Sequence, residues 1–249
     1  MKEFSSPQAP FSPDGIFSRT ASLIGEAGLR RLSLSSVAVF GIGGVGGHVA
    51  ETLVRCGVGK LTIVDNDTVS ASNLNRQIVA TVNTVGTLKV EAMKERLLSI
   101  NPALHLTVCP VFVTPDNVDG FDFSSYDFIV DAIDCVSAKI ALICRARTAG
   151  TPIISSMGTG NKLDPTALKI TDIYQTSVCP LARVMRRELR RRNIDALTVL
   201  SSEETPRTPL SPTDEAQKEG KRAPASIAFV PATAGLLIAA HVVNALLAE

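Results

Sequence analysis

Short β-branched runs punctuated by glycine and polar residues alternate along the chain with stretches whose apolar residues step by three and four. "VAVF" (37–40), "KLTIVD" (60–65), "LHLTVC" (104–109), "YDFIVDAI" (126–133) and "TPIISS" (151–156) read as strands. The intervening periodicity predicts helices near 44–57, 87–100 and 137–149, and a short amphipathic helix at 18–33 precedes the first strand. In 87–100, Leu88, Met93, Leu97 and Ile100 share the inward face. Strands and helices alternating at these lengths predict an α/β fold: a Rossmann-like, doubly wound, mostly parallel sheet.

The last third departs from that rhythm. "LKITDI" (168–173) reads as a strand, "PLARVMRRELRRRN" (180–193) as a helix and "TVL" (198–200) as a short strand. Residues 201–222 carry Pro, Ser and mixed charge with almost nothing apolar, the composition of a flexible loop. "IAFVPATAGLLIAAHVVNALL" then nearly matches a membrane span in length, but Thr233, His241 and Asn244 interrupt it and Pro231 suits a helix start. A buried C-terminal strand-helix extension is the preferred reading over a membrane anchor. The polar, Pro-rich start makes residues 1–17 a mobile extension, with 18–249 as one domain.

A chain of 249 residues, 45% hydrophobic, can bury a large core. The net charge of +1 leaves any nucleic-acid contact to local clustering, and aromatics at 4% without Trp argue against stacked-base platforms. The five cysteines, Cys56, Cys109, Cys135, Cys144 and Cys179, form no CxxC pair, which argues against zinc ribbons and disulfide frameworks. With no signal peptide legible at the start, the expectation is a cytoplasmic protein with free thiols.

The candidate chemistry begins at "GIGGVGGHVAETLVRCGVGKLTIVDND" (41–67). Gly41, Gly43, Gly44 and Gly46 follow a strand and open a helix, so backbone N–H groups and the helix N-terminus can approach a phosphate. Asp65, ending the next strand, is placed to accept ribose hydroxyls, though it also reads as a solvated strand-end carboxylate. The turn alone serves NAD and ATP equally. The residues beyond it favour ATP: Asn73, Asn75, Arg76, Gln77 and then Lys89 gather donors and cations that a triphosphate needs and a bridging pyrophosphate does not. Asp134, past the end of the 126–133 strand, is placed to hold Mg²⁺ against the phosphates or to cap the following helix, while Asp131 reads as structural.

Taken in order, "FGIGGVGG…VDNDTVSASNLNRQ…VGTLKVEAM…INP…DAID" resembles the ThiF/MoeB-like adenylating domain of ubiquitin-activating, molybdopterin-synthase-activating and thiamine-biosynthesis proteins. That resemblance implies that Asp65 binds ribose, that Asn73, Arg76 and Lys89 hold phosphates, and that Asp134 serves Mg²⁺ and the α-phosphate step. It implies ATP as substrate and Mg²⁺ as cofactor, with a carboxylate converted to an acyl-adenylate. The segments "FSRTASLIGEAGL", "VFVTPDNV" and "SIAFVPATAGLLIAA", and the lack of CxxC pairs, are similar to the tRNA threonylcarbamoyladenosine dehydratase branch. The implied partner is then tRNA carrying threonylcarbamoyladenosine beside the anticodon, whose urea nitrogen closes a ring as AMP departs. Such an intramolecular attack has an effective molarity of roughly 10⁵ M or more and needs no thiol nucleophile. Cys179 precedes a helix and is the one thiol to consider for covalent work, against a plain reading as apolar filler. Cys135 stands where several relatives have Asn.

Two further features bear on partners. Arg183, Arg186, Arg187, Arg190 and Arg191 share one helical face, a concentrated basic patch suited to an RNA backbone or, alternatively, a solvated or dimer-facing surface. Arg19 precedes the nucleotide-binding strand with no evident place in its own crevice. The resemblance implies a homodimer in which such an arginine reaches the partner's ATP, and Arg19, Arg76 and Asp134 are the catalytic candidates. The rivals are an adenylyltransferase for a ubiquitin-like or sulfur-carrier protein, a non-enzymatic tRNA- or protein-binding module and, last, an NAD dehydrogenase.

Overall fold

Four of the five residues in β1 (Ser36–Phe40) and in β2 (Lys60–Val64) are buried, because both strands lie inside a sheet covered on its two faces. The computed structural model describes residues 13–211 and 224–248. Its sheet also contains β3 (His105–Cys109), β4 (Phe128–Asp131), β5 (Ile153–Ser156), β6 (Leu168–Asp172) and β7 (Thr198–Ser202). The order is β3-β2-β1-β4-β5-β7-β6, parallel except for β6, which runs antiparallel to β7 at the edge. The predicted doubly wound α/β architecture is therefore the observed one. The chain winds outward in opposite directions from β1 and β4, so their carboxyl ends border a crevice.

The helices are α1 (Pro13–Ile16), α2 (Ser18–Leu34), α3 (Gly46–Cys56), α4 (Lys89–Ile100), α5 (Val136–Ala149), α6 (Pro180–Arg190) and α7 (Phe229–Ala248). Val37, Val39 and Ile63 meet α3, α4 and α7 on one side of the sheet. On the other, Ala38, Phe40 and Val64 pack with Phe123 and Leu142, and the Phe40 ring lies edge-on to Phe121 at 5.1 Å between centroids. A third cluster joins Met185 and Leu189 of α6 to Ile140, Ile143 and Val199. Met93 and Leu97 of α4 are fully buried, whereas Leu88 and Ile100 are only partly so.

Several boundaries differ from the expectations. The mobile extension was placed at 1–17, but Pro13–Ile16 form a helical turn and the Phe17 ring packs near Gly57; residues 1–12 lie outside the described residues. Helix α2 is broken at Gly25, which adopts φ 75°. The loop expected at 201–222 begins later. Ser201 and Ser202 are buried in β7, Glu203 N–H donates to the Ala167 carbonyl (2.9 Å), and Glu204 accepts from the N–H groups of Leu163 and Asp164. These polar residues belong to the fold: they end β7 or tie the chain after it to residues 163–167. Residues 212–223 lie outside the described residues.

Asn161, at φ 60°, gathers the segments on either side of those residues. Its N–H donates to the Ala225 carbonyl (2.7 Å), its Oδ1 accepts from Ala225 N–H (2.8 Å), and its carbonyl accepts from Arg207 N–H (2.8 Å). The strand expected ahead of the last helix does not form: residues 224–228 are irregular, and α7 begins directly at Phe229. Helix α7 is long and apolar enough to cross a membrane by composition, and here it buries Val230, Ala234, Ile238 and Val242 in the main cluster.

Candidate functional site

The glycine turn exists because side chains have no room in it. Gly41 adopts φ 91°, and a Cβ there would lie 2.7 Å from the Ala132 carbonyl oxygen; at Gly46 a Cβ would fall 1.8 Å from the Gly41 oxygen. The turn thus presses against the residues that follow β4 and leads directly into α3, where Gly47 N–H bonds back to the Gly43 carbonyl (3.0 Å). Gly41, Gly43 and Gly44 line that crevice, a space of about 800 Å³, and Gly46 lies behind it.

Asp65 closes the turn from the next strand. Its Oδ2 accepts from Ile42 N–H (2.7 Å) and its Oδ1 from Asp67 N–H (2.9 Å). A carboxylate has about four lone-pair sites, so two remain for ligand hydroxyls. Burial pushes the Asp65 carboxyl above its ordinary range, against the opposing pull of Lys89 and the two backbone N–H groups.

Asn73, Arg76 and Lys89 also line the crevice, each already tied to protein. Asn73 Oδ1 accepts from Ser70 N–H (3.2 Å), capping the turn that carries the segment. Arg76 Nη1 donates to the Ser72 carbonyl (2.8 Å) and to Asn75 Oδ1 (3.0 Å). Lys89 is buried and pairs with Asp67 at 2.7 Å, so its ammonium is held in place with its charge balanced by a carboxylate the sequence reading had not used. Gln77 Oε1, buried in the crevice wall, has no hydrogen-bond partner, which leaves an acceptor for a ligand or water.

Asp134 is exposed on the opposite wall. It does not cap α5: the residue at that position is Cys135, which also lines the crevice. The Ser137 hydroxyl at 3.2 Å and the N–H of Ala138 hold the Cys135 thiol below its usual value. Asp131 is fully buried, pairing with Lys139 and accepting from Ser155 Oγ (2.6 Å), as befits a structural carboxylate. Among the described residues no group of three or more His, Cys, Asp or Glu is arranged to hold a metal. A lone exposed carboxylate fits Mg²⁺ that arrives on phosphates and retains water, not a resident all-protein site.

The crevice extends past Asp134 to Ser156–Gly160, Leu181, Pro224 and Ser226. Asn75 Nδ2 donates to the Ser226 carbonyl (3.0 Å), joining this far half to the phosphate side. Phe112, exposed at the rim, was missed because a lone aromatic outside a strand carries no periodic signal. Cys179 is 1% exposed and packed in the cluster beneath α6, the position of an apolar filler.

The remaining candidates lie outside the crevice. Arg19 is exposed on the first turn of α2. Of the arginine face, Arg183, Arg187, Arg190 and Arg191 are exposed, and Arg190 stacks over Tyr174 at 5.0 Å. Arg186 turns inward to donate to the Thr176 carbonyl (2.9 Å), and Arg187, Arg191 and Arg192 surround Glu188. The patch is therefore narrower than the sequence spacing implied. Its helix nevertheless starts at the crevice wall, through Leu181.

Comparisons with known proteins converge on this arrangement. The ThiF family description matches residues 17–249. The chain is 40% identical over 241 residues to the tRNA threonylcarbamoyladenosine dehydratase of Bacillus subtilis, covering 94% of this chain and 95% of that one. It is 42% identical over 174 residues to the Escherichia coli protein of the same name, covering 70% of this chain and 65% of that one. The crystal structure of the E. coli tRNA N6-threonylcarbamoyladenosine dehydratase in complex with ATP superposes with a TM-score of 0.85 at 34% identity, covering 94% and 95% of the two chains. The AMP complex of that protein gives 0.86, covering 97% and 98%.

Proposed function

The chain belongs to the ThiF family, and from that premise we propose that it is an ATP-dependent enzyme that adenylates and cyclodehydrates threonylcarbamoyladenosine in tRNA. The observation that carries this reading is the crevice itself. Glycine turn, Asp65, Arg76, Lys89 and Asp134 face one space, in a chain similar over nearly its whole length to a protein crystallised with ATP.

In this reading the turn and α3 bind the phosphates and Asp65 takes the ribose hydroxyls. Asn73, Arg76 and Lys89 hold the β- and γ-phosphates, and Asp134 holds Mg²⁺, which when bound supplies charge neutralisation at the phosphates. The threonyl carboxylate attacks the α-phosphorus, forming the acyl–O–P bond as the bond to pyrophosphate breaks. The urea nitrogen then attacks the acyl carbon, loses its proton, and expels AMP with the former carboxylate oxygen. The net change in the nucleoside is loss of one water. Arg76 and a partner's Arg19 stabilise charge on the phosphates in a homodimer. RNA runs along α6 on Arg183, Arg187, Arg190 and Arg191, with Arg186 holding that helix to its neighbour. The site of action is the cytoplasm, and α7 serves as a core helix.

Incubation with ATP and tRNA carrying the modified adenosine, followed by nucleoside mass spectrometry, tests the proposal. The expected result is dehydrated nucleoside with equal AMP and pyrophosphate. Pyrophosphate exchange driven by a Gly-Gly-tailed protein and not by tRNA would transfer the assignment to a carrier-protein adenylyltransferase. ATP binding without AMP formation would make the chain a binding module.

A further inference from the structure

The loop that carries Asp134 is held by a buried lysine with no place in the chemistry so far. Lys139, in the first turns of α5, is wholly buried, as is its partner Asp131. Its Nζ donates to Asp131 Oδ1 (3.0 Å) and to the Ile133 carbonyl oxygen (2.9 Å). Asp131 is fixed in turn by Ser155 Oγ and accepts from Ile133 N–H (3.3 Å). On the opposite side the loop abuts the glycine turn, whose Gly41 would strike Ala132 and Ile133 if it carried a side chain. Residues 132–134 thus lie between the nucleotide turn and a buried ammonium.

The Ile133 carbonyl belongs to the same peptide unit as the Asp134 N–H. In a trans peptide the two point in opposite directions. With the oxygen drawn inward to Lys139, the Asp134 N–H is turned outward, and no protein acceptor takes it among the described residues. The ammonium also polarises this peptide and strengthens the donor. A buried ion pair is a poor source of stability compared with apolar packing. Here it sets the direction of one peptide group on the crevice wall.

We infer that Lys139 is a positioning residue for adenylation: by holding the Ile133 carbonyl it aims the Asp134 backbone N–H, together with the Asp134 carboxylate, at the α-phosphate. The inference rests on the nucleotide site proposed above and adds a main-chain donor to it. The donor meets charge that develops on the phosphoryl oxygens, and loss of one such donor typically lowers turnover by about 10²–10³-fold.

Replacing Lys139 alone strands a buried Asp131 and invites unfolding, so the informative variant is Lys139→Met combined with Asp131→Asn. It removes both charges and keeps an acceptor for Ser155 but not also for Ile133 N–H. Asp131→Asn alone, which leaves Lys139 on the Ile133 carbonyl, is therefore its control, and an equal loss of kcat in that control overturns the inference. The expected result is a folded protein with near-normal ATP affinity by calorimetry and kcat for AMP formation lowered by about 10²–10³-fold. The second readout is the ¹⁵N–¹H resonance of Asp134, which should shift when AMP is added to the wild type and not when it is added to the double variant. A folded double variant with wild-type kcat or a wild-type amide shift overturns the inference. So does an Asp134 amide in the wild type that ignores AMP, whether or not the variant folds. Failure of the tRNA reaction in the wild type would sink the proposed function instead, while the amide shift would still report on the peptide.

Discussion

Asp65→Asn changes one oxygen to an amide nitrogen and sets two effects against each other. Both carboxylate oxygens already accept backbone N–H groups, from Ile42 and Asp67. An asparagine can face only one of them with oxygen and must turn NH₂ toward the other. The stranded donor costs about 1–3 kcal/mol of folding stability. The loss of charge-assisted acceptance from the ribose hydroxyls costs a further 1.5–3 kcal/mol of binding, roughly a 10- to 150-fold rise in the ATP dissociation constant. Calorimetric titration with ATP and thermal unfolding measure the two separately. The pH dependence adds a test of sign. Because burial raises the carboxyl above its unfolded value, the folded protein holds the proton more tightly. The Asp65 contribution to stability therefore falls as pH rises from the unfolded value, about 3.9, through the raised one. Over the same interval ATP affinity rises, since the ionised group is the better acceptor. Asp65→Asn should abolish both slopes. An ATP affinity within a factor of about two of wild type, well under the tenfold of 1.4 kcal/mol, refutes the assignment of Asp65 to the ribose.

Other perturbations probe the remaining elements. Glu51 lies between Arg55 and Arg96; burial pushes its carboxyl up, but the two guanidinium groups outweigh this and hold it below its usual value. Glu51→Gln should cost about 1–3 kcal/mol at neutral pH, and the melting-temperature gap to wild type should close as pH falls through the depressed value; a gap unchanged into strong acid contradicts this. Changing Arg183, Arg187 and Arg191 to Glu should weaken tRNA binding and flatten its salt slope by about 0.9 per phosphate contact removed, measured by filter binding with ATP affinity as control. Arg186→Ala should instead lower the melting temperature, since that guanidinium is bonded to Thr176; a large RNA defect at unchanged stability would return it to the patch. Mixing Arg19→Ala with Asp134→Asn should restore about a quarter of wild-type activity on random exchange of two-fold dimers. No recovery after demonstrated exchange places Arg19 elsewhere.

The parallel strands were readable because a strand buried on both faces must be an unbroken apolar run, as "VAVF" and "FIV" are. The glycine turn was readable because only glycine tolerates φ 91° against the Ala132 carbonyl. What escaped depends on partners distant in sequence. Nothing in the sequence signalled that Asp67 would pair with Lys89 or that Lys139 would be buried against Asp131, since each pairing is made only by the fold. Ser201 and Ser202 were assigned to a loop by composition, yet they are the buried end of β7, where backbone pairing with β6 holds them. Arg186 shared its spacing with exposed arginines, and only tertiary packing separates it from them.

The three hydrogen bonds at Asn161 have a consequence for how the molecule tolerates editing. The segment between Arg207 and Ala225 has both of its ends bonded to that one residue. The separation of its ends is therefore set by Asn161 and not by the length of chain between them. Lengthening a flexible connection with fixed ends costs only about 0.6 kcal/mol for each doubling. A reporter sequence, a protease site or new termini placed inside this segment should leave the sheet, the crevice and α7 in register.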